Sequence, residues 1–455
     1  MTVKRHKKIA PATNRGESVA PIKFQLLGGA TNTIANEKLQ EVCSLKSISE
    51  NGKNFNLLAN EEVNKIKGCQ PLDNIKGVNP TFSSASDVYV LQKNIKDWLF
   101  KYTDGYDWKT VKRCGMPPKK DKPHEKRHLP DLYESVQLRM NDKGKAFFHG
   151  YATCDNNWLC PVCSRRISYL RGLEVLKAGQ WALANGYTLA MITLTNQHTR
   201  GMLPATCMDI HLNALKEFND SKAIRDYLKP VSVGWITGNE VLHGENGCHF
   251  HSHRLVILKQ GCTISADIEK RLRKSWADNL IKSGLKGSSV KVLSKKAMDI
   301  QLNCSVSSYI SKWGVDKELT ATGSKEGHGM NLFEVFMSGD YKTFAKYAYA
   351  FSPRRNEEIG QQVYKLRWSK GLKGKVGLKD LNDRQIQNEE AKEAILIALI
   401  GVDAWKYIME NGLRKTVLEA VEHGGYKELV SMLYCHSIEL NCFGEFDLKK
   451  YLSVK

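Results

Sequence analysis

Three histidines fall at alternate positions in Cys248-His249-Phe250-His251-Ser252-His253-Arg254, ahead of the apolar run Leu255-Val256-Ile257-Leu258. In an extended strand successive side chains point to opposite faces, so His249, His251 and His253 share one face. Three neighbouring imidazoles are costly as packing, because each buried ring needs polar partners. They suit a metal ion; a solvated strand face is the plainer reading. Residues 231–242 read as a second strand, and His243-Gly244-Glu245-Asn246-Gly247 suits a tight reversal between the two. Folding about Glu245 sets Glu240 opposite residue 250 or 251, and a one-residue register decides which face its carboxylate takes. A carboxylate beside two imidazoles accepts Mg²⁺ or Mn²⁺ and also Zn²⁺. The plainer role for Glu240 is an edge-strand ion pair.

A second group of reactive residues is Ser307-Ser308-Tyr309-Ile310-Ser311-Lys312-Trp313. Hydroxyls followed by helix formers predict a helix opening near Ser307, which places Tyr309 and Lys312 on one face. A phenol becomes a covalent nucleophile when a charge or metal assists it. Alone, such a spacing is more often a surface pair. A third group is Cys160-Pro161-Val162-Cys163 with Cys154 upstream and Cys114 further back. Four thiolates close a tetrahedral structural zinc site, although the long gap from Cys114 to Cys154 leaves the fourth ligand open. Reduced, buried cysteines are the alternative.

These residues need a scaffold. Residues 187–195 read as a β-strand, residues 231–242 and 248–258 as a hairpin, and residues 210–228 and 268–282 as helices. Mixed order of this kind predicts an α+β domain with a mainly antiparallel sheet flanked by helices. After residue 328 the pattern is mostly helical. Residues 1–90 read as a variable, partly disordered leader, 91–180 as a basic and Cys-rich region, and 181–325 as the catalytic domain. Residues 326–380 read as a helical, basic extension and 381–455 as an acidic helical tail.

The 455 residues leave room for roughly three domains. The net charge is +20, yet residues 380–455 hold 13 acids against 9 bases, so residues 1–379 carry +24. That asymmetry points to a polyanionic partner, nucleic acid above all. Basic Met1 to Lys8 is followed by no apolar stretch of signal-peptide length, and the longest apolar run, residues 394–402, is too short to span a membrane. A reducing cytoplasmic setting, metal-bound rather than disulfide-bonded cysteines and no membrane partner are the expectation.

A strand ending Thr193-Leu194-Thr195, a His-x-His strand and then Tyr309-x-x-Lys312 together resemble the HUH endonuclease superfamily. Within it, the chain is similar to the rolling-circle replication initiators (Rep proteins) of small plasmids. Cys160-Pro161-Val162-Cys163 before Ser164-Arg165-Arg166-Ile167, and Arg367-Trp368-Ser369-Lys370-Gly371-Leu372, extend the likeness, which covers roughly residues 110–380. The resemblance implies an HUH-type domain in which His251 and His253, with Glu240 as acidic third ligand, hold Mg²⁺ or Mn²⁺ against the scissile phosphate of the plasmid origin. It implies that Tyr309 attacks to leave a 5′-phosphotyrosine link and a free 3′-hydroxyl, with Lys312 steadying the phosphate, and that host helicase and polymerase continue from there.

Two positions depart from the family pattern. Ser252 stands where a bulky apolar residue is usual, and His249-Phe250-His251 meets that preference instead, so the metal pair could lie two residues earlier. Ser305 stands where some relatives carry an acid, and Trp313 where others carry a second tyrosine, which favours a single-tyrosine mechanism. A relaxase or an HUH transposase would share the chemistry, and a non-catalytic zinc-containing DNA-binding regulator would not. Two cationic runs offer DNA contacts. Residues 109–127, read as a loop, hold eight Lys/Arg and two acids; residues 365–379 hold Lys365, Arg367, Lys370 and Lys373 around Trp368 with no acid. Tyr341, Phe344, Tyr347 and Phe351 at helical spacing read as core.

Overall fold

The computed structural model describes residues 85–103, 108–117, 135–305, 329–358, 360, 362–435 and 443–445. Tyr309, Lys312, the leader up to residue 84 and residues 118–127 of the first cationic run lie outside the described residues. The strands are β1 (Val136–Met140), β2 (Ala146–His149), β3 (Thr188–Thr195), β4 (Ser232–Gly244), β5 (Gly247–Leu258), β6 (Met298–Leu302), β7 (Leu366–Trp368), β8 (Ile395–Ile400) and β9 (Phe443–Glu445). They build two antiparallel sheets, one ordered β6-β3-β5-β4-β7 and one ordered β2-β1-β8-β9. The α+β class with antiparallel sheets is therefore as expected.

Helices cover both faces of the five-stranded sheet. The helices of the chain include α1 (Ala85–Tyr102), α2 (Lys109–Arg113), α3 (Pro161–Ala184), α4 (Pro204–Asp220), α5 (Ala266–Lys282), α6 (Val290–Lys296), α7 (Leu332–Met337), α8 (Tyr341–Ala350), α9 (Asp383–Glu393), α10 (Val402–Glu410) and α11 (Arg414–Cys435), of which α10 and α11 pack on the second sheet. Ile192, Leu194, Val256 and Leu258 pack with Leu215 and Phe218 of α4 and Leu272 and Trp276 of α5. On the opposite face Leu189, Met191, Leu255 and Ile257 meet Val175, Ala178 and Ala182 of α3. Burial on both faces explains why Leu255-Val256-Ile257-Leu258 is apolar without alternation. Among the described residues no helix is long and apolar enough to cross a membrane.

The hairpin register is the feature that positions the site. Gly244 pairs with Gly247 across Glu245-Asn246, which sets Glu240 directly opposite His251 and Gly238 opposite His253. Gly247 has φ +87°, and a Cβ there would lie 3.1 Å from the Thr199 carbonyl, so this turn requires glycine. The expected helix over residues 268–282 is α5, begun by Ser265, whose hydroxyl accepts from the Ile268 amide. The helix expected over residues 210–228 starts earlier, at Pro204, ends at Asp220, and is followed by a separate π-helical turn, Ala223–Leu228.

Two expectations need refinement. Residues 109–113 of the cationic run form α2 rather than a loop. The chain after residue 328 is mostly helical among the described residues, as expected, but it also adds strands: β7 extends the first sheet at the edge of β4, and β8 lies between β1 and β9 in the second. The region read as an acidic helical tail thus shares a sheet with residues from the Cys-rich region, Leu138 pairing with Ala398. A six-residue run such as Ile395-Leu396-Ile397-Ala398-Leu399-Ile400 fits a buried strand as well as a helix by periodicity, so its pairing partner decides. Phe344, Tyr347 and Phe351 are buried core, as read from their spacing, while Tyr341 at the start of α8 is exposed.

Candidate metal centres

On the α3 face of the sheet, β4 and β5 bring three ligand groups together. The Glu240 carboxylate lies 2.7 Å from His251 Nε2 and 3.4 Å from His253 Nε2. One ligand atom from each of the three falls within 4.8 Å of the others. The register read as open in the sequence is closed by the two-residue turn, which puts Glu240 and the histidines on the same face. Burial works to raise the Glu240 carboxyl, but hydrogen bonds from His251 and His253 and their charge hold its pKa at about 2. His253 is oriented from behind, its Nδ1 standing 3.1 Å from the Thr193 hydroxyl on β3. Such an outer partner fixes the ring and leaves Nε2 for a metal. His251 Nδ1 is buried with no partner among the described residues. One carboxylate and two imidazoles fit a divalent ion.

His249 stands one strand step beyond this group. Its ring contacts His251 at 4.7 Å and His198 at 4.8 Å, centroid to centroid. Burial, then the charges of His251 and His198, lowers its pKa to about 4. The three converging ligands are Glu240, His251 and His253, and His249 is not among them. His198, on the loop after β3, was not singled out from the sequence; its place at the end of a strand beside the His run was the available signal.

The other face of β5 accounts for Ser252. Its hydroxyl donates to the Asn239 side-chain carbonyl at 2.6 Å and lies 2.7 Å from His211 Nε2 on α4. His211 Nδ1 is 3.1 Å from the Asn196 side-chain oxygen, and the Asn239 amide donates to the Tyr364 carbonyl at 2.7 Å. An apolar residue at 252 would strand these buried polar groups, so a small hydroxyl replaces bulk here. Burial, followed by the charges of His251 and His249, pushes His211 down to about 3. A histidine held below its unfolded pKa of 6.5 contributes stability in full only above that pH. Stability is then lost as pH falls from 6.5 towards 3, because the unfolded chain takes up a proton that the fold excludes. Urea unfolding at pH 7 and pH 5 should show His211→Gln losing on the order of 2 kcal/mol less than wild type over that interval. Equal losses in both proteins would contradict a neutral His211.

The second centre joins three segments. Cys114 follows α2, Cys154 follows β2, and Cys160 and Cys163 begin α3. Sγ separations are 3.5 Å for Cys114–Cys163, 3.7 Å for Cys114–Cys160 and 3.6 Å for Cys154–Cys163. A tetrahedron with bonds of about 2.3 Å to sulfur has edges of about 3.8 Å, so the four thiols already hold the spacing of a Cys₄ site. The long gap between Cys114 and Cys154 is bridged by the β1–β2 hairpin, and Gly115 N–H donates to the Ala152 carbonyl at 2.7 Å beside it. The Gln92 amide of α1 lies 3.3 Å from both Cys114 and Cys160 sulfurs. The Cys160 thiol is pulled well below its ordinary pKa: burial raises it, and hydrogen bonds from Cys114, Cys154 and Cys163 outweigh that.

The cationic run over residues 365–379 is not a uniform DNA-facing surface. Lys365 is buried, its ammonium donating to the Ser164 hydroxyl at 2.9 Å above the Trp158 ring. Lys373 is tied to Glu174 at 3.4 Å, and Trp368, half-buried, packs against the core beneath α3. Burial takes Lys365 out of reach of a DNA phosphate, while Trp368 and Lys373 are half-buried and also serve the fold. Arg367, stacked on exposed Tyr364 at 4.4 Å, and Lys370 remain exposed.

No family model matches the chain, and neither a curated protein nor a solved structure matches it either. The functional reading therefore rests on the site itself.

Proposed function

We propose that the chain initiates rolling-circle DNA replication by nicking and rejoining one strand at an origin, with Tyr309 as nucleophile and an HUH-type domain around β3–β5. The convergence of Glu240, His251 and His253 on one sheet face carries this reading. Glu240, His251 and His253 would hold Mg²⁺ or Mn²⁺, which supplies polarisation of a bound phosphodiester. The Tyr309 oxygen forms a new bond to phosphorus as the bond to the 3′-oxygen breaks, and the phenolic proton ends on the 3′-hydroxyl. The energy of the broken ester is kept in the phosphotyrosine, so rejoining needs no ATP.

The connection to Tyr309 is long enough. Cys304 N–H donates to the Leu189 carbonyl at 3.0 Å, four residues from Thr193, whose cross-strand partner is His253. Four strand steps are about 13 Å. Five residues reach at most about 17 Å, before the tyrosine side chain is added.

Supercoiled plasmid bearing the protein's own replicon, incubated with Mn²⁺, tests the reading. Wild type should relax it and carry a 5′-linked DNA adduct, and Tyr309→Phe should do neither. Origin binding without a nick in either protein would favour a zinc-containing regulator. A nick that survives Tyr309→Phe would place the nucleophile elsewhere. The same adduct formed only on transposon ends or a transfer origin would assign the chemistry to a transposase or relaxase.

A further inference from the structure

Beside the Cys₄ cluster, away from the hairpin histidines in the fold's element order, lies a cavity of about 740 Å³. Five cationic side chains line it: Lys109, Lys112 and Arg113 from α2, Arg166 from α3 and Arg384 from α9. Among the described residues no carboxylate lines it, although Arg166 pairs with Glu390 at 3.2 Å and Arg384 with Asp155 at 2.8 Å just outside. Its floor is the end of β2 and the segment that follows, residues 149–153, and its far wall carries the amides of Gln387 and Asn388.

The cysteines flank this cavity. Arg113 immediately precedes Cys114, Thr153 immediately precedes Cys154, and Arg166 lies one helical turn after Cys163. Clamping the four sulfurs therefore clamps three of the walls. The fourth, α9, is fastened by the two ion pairs and by the Gln387 amide, which donates to Asp155 at 3.2 Å. A preformed cationic concavity with neutral amides at one side suits a ligand that is anionic along one edge and hydrogen-bonding along the other. His149, which also lines it, is lowered to about 4 chiefly by burial and then by Arg166 and Arg139.

We propose that this cavity grips the phosphates of single-stranded DNA, seating one or two nucleotides, with the exposed Asn388 amide facing a base edge. The volume falls in the range of small-ligand sites, about 300–1,000 Å³. It admits a single strand and excludes a duplex. The nucleic-acid identity of the ligand rests on the function proposed above; the anion site rests on the cavity. In this arrangement the zinc-type centre has a task beyond stability, since it sets the spacing of the cations that hold the strand.

The test uses the full chain without added Mn²⁺, so that the hairpin histidines take no part. A fluorescein-labelled oligothymidylate is titrated by anisotropy at several KCl concentrations. The triple variant Lys109→Gln, Lys112→Gln, Arg113→Gln changes only exposed side chains of α2. It should weaken binding at least tenfold and reduce the salt slope by about 2, at roughly 0.7 per single-strand phosphate lost. Lys291→Gln, Lys295→Gln, Lys296→Gln on α6 removes the same charge elsewhere and should leave both unchanged. Equal losses in the two triple variants, or no loss in the first, would overturn the assignment. So would equal affinity for duplex DNA, or for dTMP or orthophosphate as for the oligonucleotide. Nicking by Tyr309 is scored separately, so a protein that never nicks but loses strand binding in the α2 variant would keep the cavity and sink the initiator reading.

Discussion

Glu240→Ala should lose Mn²⁺-dependent nicking by about 100- to 1,000-fold, several kcal/mol of transition-state stabilisation, and should stay folded. Glu240 is the charged member of the three-ligand set, and with a pKa near 2 it stays ionised throughout the working range. Its removal deletes the negative ligand and leaves two imidazoles, which bind hard divalent ions poorly. Folding should survive because Glu240 retains a quarter of its side-chain exposure, so no packed core is opened. Mn²⁺ titration by calorimetry beside the relaxation assay separates lost metal binding from lost structure. His249→Ala belongs in the same experiment. The geometry predicts Mn²⁺ affinity within about threefold of wild type, since its ring lies outside the converging set. An effect as large as that of Glu240→Ala would shift the metal pair to His249 and His251.

On the proposal that the Cys₄ cluster holds zinc, its loss should have the largest effect on stability. One zinc per chain is expected by elemental analysis of protein purified without chelator. Cys163→Ser should lower that content and release α1, α2, the β1–β2 hairpin and the start of α3 from one another. Zinc-finger peptides draw about 10–16 kcal/mol from the metal, and a site that joins segments of a larger fold contributes some fraction of that. The five-stranded sheet has its own core, built from Leu189, Ile192, Val256, Phe218 and Trp276 among others, and does not depend on these sulfurs. Hydrogen exchange should therefore show β3–β5 still protected while residues 85–117 and 135–165 open. Metal-free protein with unchanged protection in Cys163→Ser would mean that the four thiols are merely packed.

Where residues act locally, the sequence carried most of this architecture. β3, β4 and β5 were readable because their β-branched residues and the Gly-Asn turn signal agree, and the turn in turn positioned Glu240. The Cys₄ set was readable from spacing except for its long gap, which needed the β1–β2 hairpin to explain it. Contacts between residues far apart in the chain were not legible. Ser252 meets His211 forty-one positions away, and Lys365 meets Ser164 two hundred and one positions away. A cation in a basic run looks the same whether it faces solvent or a buried hydroxyl, so the burial of Lys365 was not legible. The lining of the cationic cavity, drawn from α2, β2, α3 and α9, was dispersed for the same reason.

The pairing of β1 with β8 also sets a schedule for synthesis. Leu138 leaves the ribosome about 260 residues before its partner Ala398, an interval of roughly 13–50 s at ordinary elongation rates. Throughout it the nascent β1–β2 hairpin lacks its neighbour and keeps an open edge, while β3, β4 and β5 can already pair. The hairpin face that bears Glu240, His251 and His253 is thus assembled first, and the sheet beside the cysteine cluster is completed only when the segment carrying β8 emerges. Chains that stop short of residue 395, through a premature stop codon or a protease, would leave that β1 edge unpaired and become clients for chaperones.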